Sequence, residues 1–465
     1  MARTYGGVSY FAKVLGVLIV GHFLITLFGN VYSEEGVGYE KGTRSRFVAV
    51  LKLQWLMFFL SWIIYRQLMA FFDQPFSLFC THLKPTSAVV GLWKNRASKA
   101  LLVFFVLSHL TYLLYYYDGP IQTVLFEVCS ICLGIWTHLV FFCFGFFVLN
   151  SAVVLFSRYD ISQKVFVLLR KNVVIREILW DFQLQAVLAL SISVVISMIC
   201  FFASDHMFIR TAELPIVNLP QKAEGLRIAV LSDLHTGGAV RRDQIAHVVD
   251  VTNEMNVDAV FIVGDMTDGT IEQLESKVEP LRHLKSRLGT FMVTGNHDYY
   301  FDDAMAWIRL FKSYGIKVLT NSKADLEGIC LIGLNDISSG KSGIPNHEMD
   351  LFSVINECDT MKPIIVLAHN PASVKHISEN NHNFSIDLII SGHTHSGQLF
   401  VMLPFVYKML PYVHGLYHVP IHYAVRGSAI LLVSAGTLYQ GPPMKMPLYS
   451  NIWEVTLHKQ RFYDD

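Results

Sequence analysis

Five times in the second half of this 465-residue chain, a short apolar run ends in a cluster of histidines, carboxylates or an asparagine. Ile228-Ala-Val-Leu231 leads into Asp233-Leu-His235, Ala259-Val-Phe-Ile-Val263 into Gly264-Asp265-Met-Thr-Asp268, and Phe291-Met-Val293 into Gly295-Asn296-His297-Asp298. Ile364-Ile-Val-Leu367 leads into His369-Asn370, and Leu388-Ile-Ile390 into Gly392-His393-Thr-His395. Imidazole and oxygen donors without a thiolate suit Mn, Fe, Zn or Co, and the set does not choose among them. Glycine opens three of the clusters, where a side chain would obstruct a sharp turn and a close approach to an ion. Any single block has an ordinary explanation: Asp-Leu-His arises by chance, His369 reads as a core histidine, and Gly-Asn-His-Asp as a turn. The ordered repetition is what points to metal chemistry.

The elements that would position these side chains follow from the surrounding pattern. From Leu226 onward, short β-rich apolar runs alternate with amphipathic stretches, the texture of strands interleaved with helices in an α/β domain. Ligands of open α/β sheets gather outside the carboxyl ends of the strands, so groups on successive strand ends converge on one crevice.

In this order the blocks resemble the calcineurin-like metallophosphoesterases, whose pattern runs D-x-H, G-D-x-x-D, G-N-H-[DE], a lone H and G-H-x-H. The resemblance covers residues 226–457. It implies a four-layer sandwich of two mixed β-sheets flanked by helices, and hydrolysis of a phosphomonoester, phosphodiester or pyrophosphate bond. By the residue-by-residue match, Asp233, His235 and His395 would hold one divalent ion, Asn296, His369 and His393 a second, and Asp265 would bridge the two. Two ions about 3.5–4 Å apart clamp a phosphoryl group, hold an attacking hydroxide between them and stabilise the leaving oxygen. His297 would face the leaving group as general acid or as a cation on the phosphate, oriented by Asp298. Asp268 would support a ligand from behind. The chain departs from the family at Gly441-Pro-Pro-Met-Lys445. There a G-x-P-x-R block is common, and a lysine replaces an arginine able to grip phosphate bidentately.

The N-terminal half has a different character. Charged residues make up only 16% of the chain and apolar ones 52%, with mean hydropathy +0.41, too apolar for an ordinary soluble enzyme. A net charge of zero and a pI near 7.3 lack the basic footprint of a nucleic-acid binder. The expected partners are therefore a phosphorylated substrate and the lipid bilayer, with no nucleic acid. Residues 14–29, 47–65, 100–117, 128–156 and 182–204 approach or exceed the roughly 20 residues of a helical span. Residues 1–205 thus read as an α-helical membrane bundle of about five spans, 206–225 as a linker carrying Pro215 and Pro220, and 226–465 as the catalytic domain. The first apolar stretch lacks a small-residue cleavage site and reads as a retained anchor.

Lys and Arg crowd into two loops, one with Arg66, Lys84, Lys94, Arg96 and Lys99, the other with Arg158, Lys164, Arg170, Lys171 and Arg176. The loop around Gly119 has none, and the first inter-span loop has Lys41, Arg44 and Arg46. By the positive-inside rule, five spans then put the catalytic domain on the non-cytoplasmic side of a multi-pass protein. There the sequon Asn383-Phe-Ser385 would be open to glycosylation. Of seven cysteines only Cys330 and Cys358 lie in the second half, and one pair leaves the redox compartment open. His109 and His138 sit singly within spans, and Tyr115-Tyr-Tyr117 fits an interfacial aromatic belt.

Residues 400–410, directly after His395, are apolar for a loop beside a phosphate site. They read either as a core helix or as a wall that meets lipid, in which case the substrate is a lipid-linked phosphate. Two other functions fit the layout: a membrane receptor or scaffold that binds a phosphorylated ligand without turnover, and a transporter with an appended domain. The complete ligand set with His297 favours hydrolysis, and spans without paired buried charges speak against transport.

Overall fold

A computed structural model describes residues 8–34, 39–73, 86–115, 124–157, 159–301, 304–379, 384–421 and 427–460. Lys84, Tyr116, Tyr117, Gly119, Arg158 and Asn383 lie outside the described residues. The chain divides into two compact units, one of N-terminal helices ending at Met198 and one from Ile199 onward.

Five helices are long and apolar enough to cross a membrane: Lys13–Tyr32, Thr43–Asp73, Ser87–Leu114, Val124–Phe156 and Phe182–Ala203. The third begins well before its uncharged core, because Lys94, Arg96 and Lys99 continue the helical backbone beyond the apolar stretch. Asp181 caps the fifth, its carboxylate accepting from the backbone N–H of Gln183 (2.8 Å) and Leu184 (3.0 Å). Polar side chains inside this unit pair with one another, as an apolar surrounding demands. His109 lies between Gln54 Oε1 (2.9 Å) and Ser61 Oγ (3.0 Å), and Trp136 Nε1 donates to the same Ser61. Gln67 and Asn150 both donate to Gln185 Oε1 at 2.9 and 2.8 Å. His138 Nδ1 lies 2.9 Å from Ser197 Oγ. His109 and His138 are thus hydrogen-bonded structural residues. The basic stretch between the fourth and fifth helices is not an open loop. It forms two short helices, Asp160–Leu169 and Val173–Trp180.

The second unit holds two six-stranded mixed sheets. Its strands are β1 (Phe208–Ile216), β2 (Arg227–Leu231), β3 (Ala259–Val263), β4 (Thr290–Val293), β5 (Lys317–Val318), β6 (Ser322–Leu326), β7 (Ile329–Gly333), β8 (Ile364–Leu367), β9 (Leu388–Ser391), β10 (Gly415–Pro420), β11 (Ser428–Val433) and β12 (Asn451–Lys459). One sheet runs β1-β12-β2-β3-β4-β5 and the other β10-β11-β9-β8-β7-β6. Within them β2, β3 and β4 are mutually parallel, as are β7, β8 and β9. Such strands are covered on both faces, which is why they read as unbroken apolar runs.

Alternate side chains divide between two cores. Ile228, Val230, Phe261, Val263 and Phe291 of the first sheet meet Leu331, Ile365, Leu367 and Leu388 of the second in a dry layer between the sheets. Ala229, Leu231, Val260 and Ile262 face outward against Ile245, Val248, Trp307 and Phe311 from helices Arg242–Glu254 and Ala304–Ser313. On the other outer face, Ile332, Val366 and Ile389 pack on Leu351, Val354 and Ile377 from Leu351–Ile355 and Ser373–Glu379. The result is the expected order of helix, sheet, sheet, helix.

The expectation of a linker over residues 206–225 is corrected. Nine of those residues form β1, paired parallel with β12 from Phe208↔Asn451 to Ile216↔Lys459. Ala212, Leu214 and Ile216 point inward and the residues between them outward. Pro215 is tolerated because β1 is an edge strand with a neighbour on one side only.

Cys330 on β7 forms a disulfide with Cys358, 28 residues on, their Cα atoms 6.0 Å apart. Both are buried. A loop of this length contributes about 3–4 kcal/mol in the chain-entropy account. Cys358→Ala is expected to cost about that much in chemical unfolding of the domain; an unchanged midpoint would show that the crosslink does not constrain the unfolded chain.

Candidate metal centre

The carboxyl ends of β2, β3, β4, β8 and β9 bring all five sequence clusters together. Among the described residues three overlapping groups result: Asp233, His235 and His395; His235, Asp265 and His297; and Asp265, His369 and His393. Five of these residues hold left-handed backbone: Asp233 (φ 55°), His235 (43°), Asp265 (54°), His393 (73°) and His395 (47°). Each such residue costs about 1–3 kcal/mol and persists only where its surroundings over-determine it. That strain turns each chain sharply at its strand end.

Asp265 stands between the groups. Its Oδ2 lies 3.6 Å from His235 Nε2 and 3.1 Å from His369 Nε2. Its other oxygen accepts from the His297 backbone N–H at 2.8 Å. His369 Nδ1 is 2.7 Å from the Val263 carbonyl, so it must carry a proton and donate. Its Nε2 faces the Asp265 oxygen at 3.1 Å; burial opposes a charge on the ring, but that carboxylate outweighs it and holds the imidazole well above the usual histidine range. The other side is as crowded. His235 Nδ1 is held at 3.2 Å by Asp268 while its Nε2 meets His395 Nε2 at 2.9 Å. A proton on His235 Nε2 bridges that gap to His395, and a metal ion bound by both nitrogens would take its place.

Charge distribution follows from this crowding. Burial disfavours a charged His235, yet the carboxylates of Asp268, Asp265 and Asp233 outweigh it and push the imidazole up to about 9. Burial and the neighbouring His235 hold His395 well below the usual histidine range. Asn296 adds a matching donor: its amide nitrogen donates to Tyr300 Oη at 2.8 Å, while its buried Oδ1 has no hydrogen-bond partner. Oxygen and imidazole donors crowded together, with Asn296 Oδ1 and His369 Nε2 lacking a hydrogen-bond partner, fit divalent ions, and Asp233, His235, His395, Asp265, Asn296, His369 and His393 could hold them.

The supporting residues differ from expectation in three places. Asp298 does not orient the His297 ring. Its two oxygens accept from the backbone N–H groups of Gly295 (2.8 Å), Met266 (2.9 Å) and Asp265 (3.2 Å), tying the β3 loop to the β4 loop. Burial and the Asp265 carboxylate push it up to about 6. The carboxylate on the His297 ring is Asp268, 2.6 Å from Nδ1, and the same side chain reaches His235. Spacing on the chain favoured the adjacent Asp298, but a positive φ at Asp265 turns Asp268 back into the site.

Lys445 is no phosphate contact either. It is fully buried, its ammonium donates to the carbonyls of Gly436 (2.7 Å) and Leu438, and burial pulls it down to about 7. Two contributors were missed. Gln440 places its amide nitrogen 2.8 Å from His297 Nε2, held there by Gln398. Asp336, just beyond β7, is buried with Oδ2 lacking a hydrogen-bond partner. A sixth apolar run ending in Asn335-Asp336 was the available signal.

A two-sheet α/β domain that gathers these donors at its strand ends is that of a metal-dependent phosphoesterase. Residues 226–397 match the family model described as calcineurin-like phosphoesterase, and the chain belongs to that family. It is 33% identical over 427 residues to a zebrafish (Danio rerio) transmembrane protein with metallophosphoesterase domain, covering 90% of this chain and 91% of the other. A bovine (Bos taurus) protein of the same description is 34% identical over 59% of this chain and 62% of its own. A putative metallophosphoesterase of Caenorhabditis elegans is 29% identical over 76% of this chain and 72% of its own. With the five apolar helices, these relatives make it a membrane-associated phosphoesterase.

Two glycines set the spacing of the site. Gly264 has φ 81°, and a Cβ there would come 2.6 Å from His369 Nδ1. A Cβ on Gly295 would come 2.2 Å from Asp265 Oδ1. Gly295→Ala is expected to displace Asp265 and empty the site of metal, with a fold cost of only about 1–3 kcal/mol. Unchanged metal content in a folded variant would contradict this geometry.

Proposed function

We propose that this protein is a binuclear metal-dependent phosphoesterase whose domain lies on the non-cytoplasmic side of a five-span membrane anchor. The observation that carries the reading is Asp265 Oδ2, within 3.6 Å of ligand nitrogens from both groups. One carboxylate so placed can be shared by two ions, one beside Asp233, His235 and His395, the other beside Asn296, His369 and His393. Such ions, when bound, polarise a phosphoryl oxygen and lower the pKa of water enough for it to attack phosphorus. Their identity is Mn, Fe, Zn or Co by donor type.

The protein's own part is positioning and proton transfer. His297 lies at the rim of the groups, its ring edge-on to His235 at 4.6 Å and only partly buried. Asp268 accepts its Nδ1–H and stabilises the doubly protonated ring, which, once substrate displaces Gln440, would hand its Nε2 proton to the departing oxygen of a phosphomonoester, phosphodiester or pyrophosphate. Gln440 holds that nitrogen in place until substrate arrives. Two features support the non-cytoplasmic placement: the Cys330–Cys358 disulfide, of a kind that persists in oxidising compartments, and the basic inter-span loops.

Turnover of bis(p-nitrophenyl) phosphate by the purified chain tests the activity. Asp265→Ala should lose both ions and all turnover; a variant with two ions and near-normal rate refutes the shared ligand. His297→Ala should keep its ions and lose about 10²- to 10⁴-fold in rate, and parallel loss of metal would make His297 a ligand. For topology, the domain should resist protease added to the cytoplasmic face of sealed vesicles. Digestion there without detergent contradicts the orientation.

A further inference from the structure

Among the described residues after Ala203, exposed large apolar side chains crowd together in sequence at one place. Phe400, Met402, Phe405, Tyr407 and Met409 are all exposed within ten residues, Met409 to 79% and Tyr407 to 62%. They belong to a turn, Phe400–Met402, that runs into the helix Leu403–Met409. This segment is no core helix: its buried members are confined to Val401 and the partly covered Leu403 and Val406. Lys408 is its one charge, and no Asp or Glu occurs anywhere between Asp387 and Glu454.

Both roots of the segment are fixed to the metal-ligand block. At its start, the Leu399 N–H donates to Gly397 O at 2.6 Å, two residues beyond His395. Past its end, Val413 O accepts from Thr394 Oγ1 at 2.5 Å, and Thr394 stands between His393 and His395. Val406 lies over Gly397, where a Cβ would come 3.1 Å from Val406 Cγ2.

Water is a poor partner for such a surface. The chain itself supplies a better one. The last apolar helix ends at Ala203 and β1 begins at Phe208, a tether of about 17 Å at full extension. A domain so held is kept at a bilayer surface. Exposed Phe, Tyr and Met beside a lone lysine, with no carboxylate to be repelled by anionic headgroups, suit the interfacial layer of lipid.

We propose that Phe400–Met409 inserts into the membrane interface and that the adjoining metal site acts on a phosphate ester carried by a membrane lipid. The substrate half rests on the phosphoesterase reading above. The lipid contact does not.

Two measurements on the full chain in phosphatidylcholine vesicles separate these parts. In a Cys80→Ser/Cys132→Ser background, a nitroxide on Met409→Cys should collide more with oxygen than with a water-soluble nickel chelate. A label on Met361→Cys, ahead of the amino end of β8 and 72% exposed, should show the reverse. Water-like collisions at Met409, or spin–spin broadening from a second copy, overturn the lipid contact whatever the activity.

The second measurement uses Phe405→Ser/Tyr407→Ser/Met409→Ser. This variant should hydrolyse soluble methyl p-nitrophenyl phosphate within about twofold of wild type. On hexadecyl p-nitrophenyl phosphate embedded in the vesicles it should lose about tenfold or more, since each buried methylene that draws enzyme and substrate to one surface contributes strongly. Equal loss on both esters, or on neither, overturns the lipid-linked substrate. Absence of wild-type turnover on either ester strikes the phosphoesterase reading instead, and leaves the collision result standing.

Discussion

Everything in the catalytic domain is arranged around the crowding of acceptors at Asp265. A carboxylate oxygen faces imidazole nitrogens on two sides, and a second pair of imidazole nitrogens, His235 and His395, meets at 2.9 Å. Burying such groups without compensating charge costs several kcal/mol per ion. Protons on His235 and His369 supply that charge in the metal-free site, and bound ions would supply it under the proposed function. Left-handed backbone at five donors, close approach at Gly295, and the Asp298 carboxylate binding three amides of two loops all fix the acceptors before any ion arrives. The strain is the counterpart of preorganisation.

That preorganisation depends on the packing of two sheets. The first sheet supplies Asp233, His235, Asp265 and Asn296, and the second supplies His369, His393 and His395. The two sets meet only because Val263, Phe291 and Val293 pack on Leu367 and Ile390 beneath them. Adding β1 to the edge beside β12 extends that core and fastens the domain within a few residues of the last apolar helix.

The sequence revealed what is periodic and what is chemically rare. Five apolar runs ending in metal-type donors forecast the strands and their convergence, and five long apolar segments forecast the five helices. It concealed what depends on turns. Residues 206–225 carry two prolines and looked like a connector, yet an edge strand accepts Pro215. Asp298 is next to His297 in the chain and Asp268 is 29 residues away, but the loop brings Asp268 to the ring and sends Asp298 to the backbone. Lys445 looked like a displaced phosphate contact, and burial makes it a loop clamp. The Cys330–Cys358 bond joins β7 to a helix end, and no spacing rule links those two positions.

The central claim is that one carboxylate, Asp265, is shared by two ions. Metal quantitation with anomalous diffraction on the purified full chain tests it most directly. The account predicts two ions per chain, one beside Asp233, His235 and His395 and one beside Asn296, His369 and His393, with Asp265 touching both. A single ion, or two ions of which Asp265 touches only one, would contradict it.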